Sequence, residues 1–217
     1  MALVFYHGHG SPYSWRVWLA LEHKKIPYEV KILSFSEGDT RKPEFVAINP
    51  RHQVPAISDD GFNVWESAVI PEYLEDRYPA QGPATSLFPG DAKERARVRR
   101  LTREIDAYLW NDGVSVLADE LFSKKPEPDQ EKIASAKKVV GHELVYIANE
   151  LRADFLGGAN PCIADFALYP LTGYLARMDF RKPGHDLVAL MPAPIAAWKK
   201  RIEALPYFDK TFPPHWR

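Results

Sequence analysis

The sequence predicts an α/β domain followed by an all-α domain. Three observations carry this. Hydrophobic periodicity changes character near residue 80. Residues 80–90 (AQGPATSLFPG) concentrate Gly, Pro, Ser and Thr as a linker does. Beyond residue 90 no run alternates in the manner of a strand. The expected boundaries are 1–80 for the first domain, 81–90 for the linker and 91–217 for the helical domain.

Residues 2–6 (ALVFY) form a short apolar run suited to a buried strand. Ser11-Pro12 then offers an N-cap with proline at the first helical position. Trp15, Val17, Trp18, Leu19 and Leu21 follow at helical spacing, and Pro27 ends the helix. Tyr28–Leu33 alternates as a strand, and 43–48 is one or two helical turns. Val54–Ser58 and Phe62–Trp65 are strands joined by Asp59-Asp60-Gly61, which is hairpin chemistry. Ser67 is placed to cap a helix to about Arg77. The order is β-α-β-α-β-β-α.

In the second half, Asp91-x-x-Glu94 is a capping box before a long helix. Its apolar stripe is Leu101, Ile105, Tyr108, Leu109, Val116 and Leu117. Two prolines in 124–129 break the pattern. Helices are expected over Ile133–Leu151, over the apolar and central Cys162–Met178, and from Pro194 to about Leu205. The tail KTFPPHWR is too proline-rich to extend the last one.

Lys plus Arg number 28 against 29 for Asp plus Glu, a formal charge of −1. That balance argues against a nucleic-acid footprint. One cysteine, Cys162, excludes an internal disulfide and a multi-cysteine metal site. Its position, Cys162-x-x-Asp165 in an apolar setting, is structural. The initial apolar run is too short for a signal segment. The longest clearly apolar uncharged run, Leu187–Trp198, holds 12 residues where a membrane span needs about 20. The expectation is a cytoplasmic protein with no membrane and no nucleic-acid partner.

Several positions suit the binding of a dipolar, extended ligand. Ser11 stands where a helix N-terminus stabilises an anion, and its hydroxyl adds a donor. Ser14 has the same chemistry with less reach. Val54-Pro55 opens a strand with a residue that lacks an N–H, and a cis bond there turns Val54's N–H and C=O outward. Glu66-Ser67 pairs an acceptor for an ammonium group with a receptor for a carboxylate. Gly8-His9-Gly10 is no dinucleotide fingerprint, because Tyr stands at position 13. His7 and His9 lack a second ligand pair, so they are expected as solvent-facing loop histidines and no metal is expected. The basic run Lys93, Arg95, Arg97, Arg99, Arg100 and Arg103 is a solvated helix face or lines a cleft for acidic ligands.

Taken in order, Ser11-Pro-Tyr-Ser14, Lys42-Pro-Glu-Phe45, Asn49-Pro50…Gln53-Val54-Pro55-Ala56, Glu66-Ser67-Ala-Val-Ile70…Tyr73-Leu74 and Ile163-Ala164-Asp165-Phe166…Tyr169-Pro170 resemble the cytosolic glutathione transferase family, in its serine-type classes. The resemblance spans about residues 3–210. It implies a thioredoxin-like first domain that binds glutathione and a helical second domain. It implies that Ser11 is the catalytic serine at the glutathione sulfur, and that Gln53, Val54 and Pro55 hold the peptide backbone. Glu66 and Ser67 then take the γ-glutamyl end, and Arg41 lies near the glycine carboxylate. A pocket for a small hydrophobic electrophile is expected from Pro12 and the helix about Tyr108, Asp112 and Ser115. The implied activity is conjugation of glutathione, as a detoxifying transferase and a homodimer. Alternatives are another glutathione-dependent reaction (isomerisation, dehalogenation or ether cleavage) or a non-enzymatic protein-interaction relative. Two departures stand out: Cys162 replaces the usual Ser or Thr cap, and Thr40 stands where some members have histidine. Tyr6, near the catalytic tyrosine of other classes, ranks below Ser11.

Overall fold

The computed structural model describes residues 3–122 and 127–216. Its Cα positions group into two compact units. One runs to Pro89 and includes the chain from Pro206 onward; the other is Gly90–Leu205. The sequence pattern places everything after residue 90 in a helical domain, whereas the chain from Pro206 groups with the first unit. No local pattern in 206–217 reports which unit it covers.

In the first unit β1 (Leu3–His7), α1 (Pro12–Lys24) and β2 (Tyr28–Ile32) form a crossover, with β1 and β2 parallel from Leu3↔Tyr28 to His7↔Ile32. A one-turn α2 (Pro43–Val46) follows, then the hairpin of β3 (Ala56–Asp59) and β4 (Phe62–Trp65), and then α3 (Val69–Arg77). Strand order is β2-β1-β3-β4, with β3 antiparallel to β1 and β4. Asp60 and Gly61 both have positive φ (50° and 87°), which the two-residue hairpin loop requires. The residue-2 end of the expected first strand lies outside the described residues, as do residues 124–126 of the expected break at 124–129.

Alternation along β1 buries Leu3, Phe5 and His7. Helix α1 is buried on nearly every side, from Ser14 through Leu21. The tail covers part of it: Trp15 Nε1 donates to Thr211 Oγ1 at 3.0 Å, and its ring meets Phe212 and Trp216 edge-on. Each fully buried large apolar side chain contributes about 1.5–3 kcal/mol, so α1 is firmly held in the unit. Lys24 pairs with Glu75 at 2.5 Å and ties α1 to α3. Burial acts to raise the Glu75 pKa, but bonds from Lys24, Ser86 and the Leu87 N–H outweigh it and hold the carboxyl below its ordinary value.

The second unit is helical: α4 (Ala92–Glu104), a π-helical stretch (Ile105–Val114), α5 (Ser115–Phe122), α6 (Gln130–Asn149), α7 (Ile163–Arg181) and α8 (Ala193–Glu203). The π stretch interrupts the expected single helix. Within it Gly113 packs so closely on α6 that a Cβ there would lie 2.8 Å from Val140. Tyr108 was placed in the apolar stripe, but it is 52% exposed; the wider turn carries it off that face. The buried carboxylate of Asp165 organises the start of α7. It accepts from the N–H groups of Leu156 (2.9 Å), Gly157 (3.3 Å) and Cys162 (2.8 Å), and from Trp198 Nε1 (2.7 Å).

Arg97 and Arg100 of the basic run are engaged in ion pairs. Arg97 binds Glu150 and the Leu156 carbonyl, and Arg100 binds Glu104 and Glu150. No helix among the described residues is long and apolar enough to cross a membrane.

Candidate active site

The loop from β1 to α1 presents Ser11 as the N-cap. Its backbone is extended (φ −78°, ψ 116°) and its Oγ accepts the Ser14 N–H at 3.2 Å. That bond uses a lone pair, so the hydroxyl proton is left to donate. Pro12 at N1 needs no amide partner. The positive end of the helix dipole coincides with this donor, which favours an anion.

Ser14 is fully buried, and its hydroxyl lies 2.8 Å from His7 Nδ1. His7 Nε2 in turn contacts His9 Nδ1 at 3.1 Å. His7 is therefore not the solvent-facing loop residue expected: it is the last inward position of β1, and the alternation of Leu3 and Phe5 already pointed to that. Burial first, and then His9, depress its pKa to about 3. Tyr6 lies on the opposite face of β1. Its ring packs 5.7 Å from that of Phe45, against the cluster of Phe45, Val54 and Ala56.

The Val54–Pro55 peptide bond is cis. Ladder pairing of β3 begins only at Ala56. Asn49, part of the sequence motif but given no role in it, is buried and shapes the segment before it. Asn49 Nδ2 donates to the Gln53 carbonyl at 2.7 Å, and its Oδ1 accepts the Arg51 N–H at 3.0 Å. The signal was present as an Asn ahead of Pro50, typical turn chemistry. A Cβ on Gly8 would meet the Phe35 ring at 2.5 Å and Val54 Cγ2 at 3.1 Å. The glycine thus permits the Val54 side chain to approach the Ser11 loop.

Glu66 is exposed and adopts a left-handed φ of 72°. Its carbonyl accepts the N–H groups of Val69 and Ile70 at the start of α3. The position before α3 is Ala68, without a side-chain bond, so Ser67 does not cap the helix as expected. Ser67 is buried, and its Oγ instead accepts from Arg16 Nη1 at 3.3 Å. Arg16 was missed as well. A lone charge inside the apolar run Trp15–Leu21 was its signature.

Ser11, Val54 and Ser67 are thus brought around the first half of α1, directly or through Gly8 and Arg16. Arg41 is not joined to them. It is exposed on the 3₁₀ turn Asp39–Arg41, which His52 Nδ1 reaches by donating to the Thr40 carbonyl at 3.3 Å. In the second unit Tyr108 and Asp112 are exposed on the π stretch, and Ser115 Oγ donates to the Asn111 carbonyl at 3.0 Å. Among the described residues no cluster of three or more His, Cys, Asp or Glu could hold a metal ion.

The family models for the glutathione S-transferase N-terminal and C-terminal domains match residues 10–77 and 111–206. A glutathione S-transferase of Silene vulgaris is 30% identical over 214 residues, with 94% of each chain covered. The chain belongs to the glutathione S-transferase family. A glutathione S-transferase structure from the Antarctic clam Laternula elliptica is 30% identical with a TM-score of 0.82, covering 100% of this chain and 94% of that one. Poplar glutathione transferase F1 shares the fold, with a TM-score of 0.81 at 22% identity and coverage of 97% and 96%. As a glutathione S-transferase family member the chain is a transferase, built as a mixed four-stranded α/β unit of thioredoxin-like type with an all-helical unit.

Proposed function

We propose that this transferase binds glutathione as its thiolate and conjugates it to a hydrophobic electrophile. One observation carries the reading: the Ser11 hydroxyl spends a lone pair on the Ser14 N–H and keeps its proton for a ligand, at the positive end of α1. A free thiol has a pKa of about 8.5, so little is ionised at neutral pH. Ser11 donates to the sulfur and favours the charged form; it acts as neither base nor covalent nucleophile. A drop of about two pKa units corresponds to roughly 2.7 kcal/mol. In this reading Gln53, Val54 and Pro55 hold the peptide, with Val54's N–H and C=O pairing as an added strand does. Glu66 accepts from the γ-glutamyl ammonium group, Ser67 donates to its carboxylate, and Arg41 serves the glycine carboxylate. Pro12, on the first unit, and Tyr108, Asp112 and Ser115, on the second, are proposed for the electrophile.

We place the protein in the cytoplasm as a homodimer. Light scattering tests the dimer: a mass near the 24.7 kDa of one chain at micromolar concentration rejects it. The function is tested by turnover of a panel of electrophiles with and without glutathione. Glutathione-dependent loss of the electrophile with formation of a thioether supports it. Retention on immobilised glutathione without turnover of any electrophile contradicts it.

A further inference from the structure

Arg16 is buried to 1% exposure in the middle of α1, between Trp15 and Val17. Its Nη1 donates to Ser67 Oγ at 3.3 Å, and its guanidinium carbon lies 5.3 Å from the centre of the Tyr13 ring. A guanidinium only donates, so the bond has one direction and Ser67 is its acceptor. Nor is the hydroxyl spent on α3, where Glu66's carbonyl already takes the first amides. The Ser67 proton is not used in the bond from Arg16.

We propose that Arg16 is a positioning residue for substrate binding: it fixes Ser67 as a donor toward the α-carboxylate of the ligand's γ-glutamyl group and sets a positive charge behind that hydroxyl. This rests on the reading of Glu66–Ser67 as the γ-glutamyl receptor. Two effects act together. Accepting from Arg16 orients the Ser67 hydroxyl, and a cation in a weakly screened interior strengthens the attraction for an anion beyond it. Ser11 lies on the same helix five residues earlier, about 7.5 Å along its axis. One rigid element therefore sets the spacing of the sulfur and α-carboxylate contacts, although neither Arg16 nor the helix interior touches the ligand.

The test compares glutathione with its analogue lacking the γ-glutamyl α-carboxylate, using full-length wild type, Arg16→Lys and Ser67→Ala. Arg16→Lys keeps the charge and loses the fork. It should raise KM for glutathione about ten-fold, the scale of a charged hydrogen bond, while kcat at saturation stays within about two-fold. KM for the analogue should not change. An equal rise for both ligands marks Arg16 as merely structural and overturns the proposal, as does no rise for either. If Ser67→Ala leaves KM for glutathione unchanged, the receptor reading itself fails, and the proposal falls with it for a separately identified reason. A second measurement needs no variant. In isotope-labelled wild type, the Arg16 guanidinium resonance should shift on titration with glutathione and not with the analogue. The same response to both, or to neither, overturns the proposal.

Discussion

The Ser14 hydroxyl lies 2.8 Å from Nδ1 of His7, inside the first unit, while Ser11 three residues earlier faces the helix mouth. That contact gives the two serines different surroundings, Ser14 inside the unit and Ser11 at the helix mouth. Ser14→Ala leaves a buried imidazole nitrogen without its partner. It should destabilise the protein by about 1–3 kcal/mol and leave kcat per folded molecule within a few-fold of wild type. Urea denaturation beside kinetics checks this; a hundred-fold loss of kcat at unchanged stability would return the catalytic role to Ser14.

Acid should unfold the protein through its buried histidines. Burial, aided by His9, holds His7 at about 3, and burial, then Lys24, holds His23 at about 4, against 6.5 for the free side chain. Between these values the unfolded chain binds protons that the folded chain does not. Stability is complete above pH 6.5 and falls as pH drops through 6.5 toward 3–4. His7 alone accounts for several kcal/mol at about 1.4 kcal/mol per unit. Urea midpoints at pH 7.5 and 5 should differ clearly, and His7→Gln should shrink the difference. Equal midpoints would show that His7 and His23 are not held neutral by the fold.

Much of the architecture was legible because it is written locally. The Asp60-Gly61 turn, the Pro12 start of α1 and the Asp91 cap each satisfy a nearby backbone demand. What escaped depends on distant partners. Ser67 reads as a cap until Arg16, 51 residues away, takes its hydroxyl. His7 differs: its inward place was written locally, in the alternation of Leu3 and Phe5, and was obscured by the glycines that follow it. The tail's place on α1 is set by Trp15, whose partner Thr211 lies 196 residues on.

Asn49→Ala should loosen the segment before Val54. The variant loses the bonds to the Gln53 carbonyl and from the Arg51 N–H, at about 1–3 kcal/mol in stability. KM for glutathione should rise several-fold while kcat changes less, because an added-strand contact serves ground and transition states alike. Steady-state kinetics decide it; an unchanged KM would detach this loop from the peptide site.

Asp165→Ala should be the most damaging single change in the second unit. Four donors, three backbone amides and Trp198 Nε1, lose their acceptor together. A loss of about 3–5 kcal/mol is expected, followed by Trp198 fluorescence in denaturant. Asp165→Asn keeps one acceptor oxygen and should fall between. A shift below about 1 kcal/mol would show that the cluster is dispensable.

The central claim is that Ser11 stabilises a thiolate, and the ultraviolet absorbance of bound glutathione thiolate measures it directly as pH is varied. In wild type the bound thiol should titrate about two units below its free value near 8.5. In Ser11→Ala the midpoint should move back toward 8.5, and kcat should fall by roughly a hundred- to a thousand-fold, as when one well-placed donor is lost. Identical midpoints in wild type and Ser11→Ala would contradict the account and return the sulfur contact to another group.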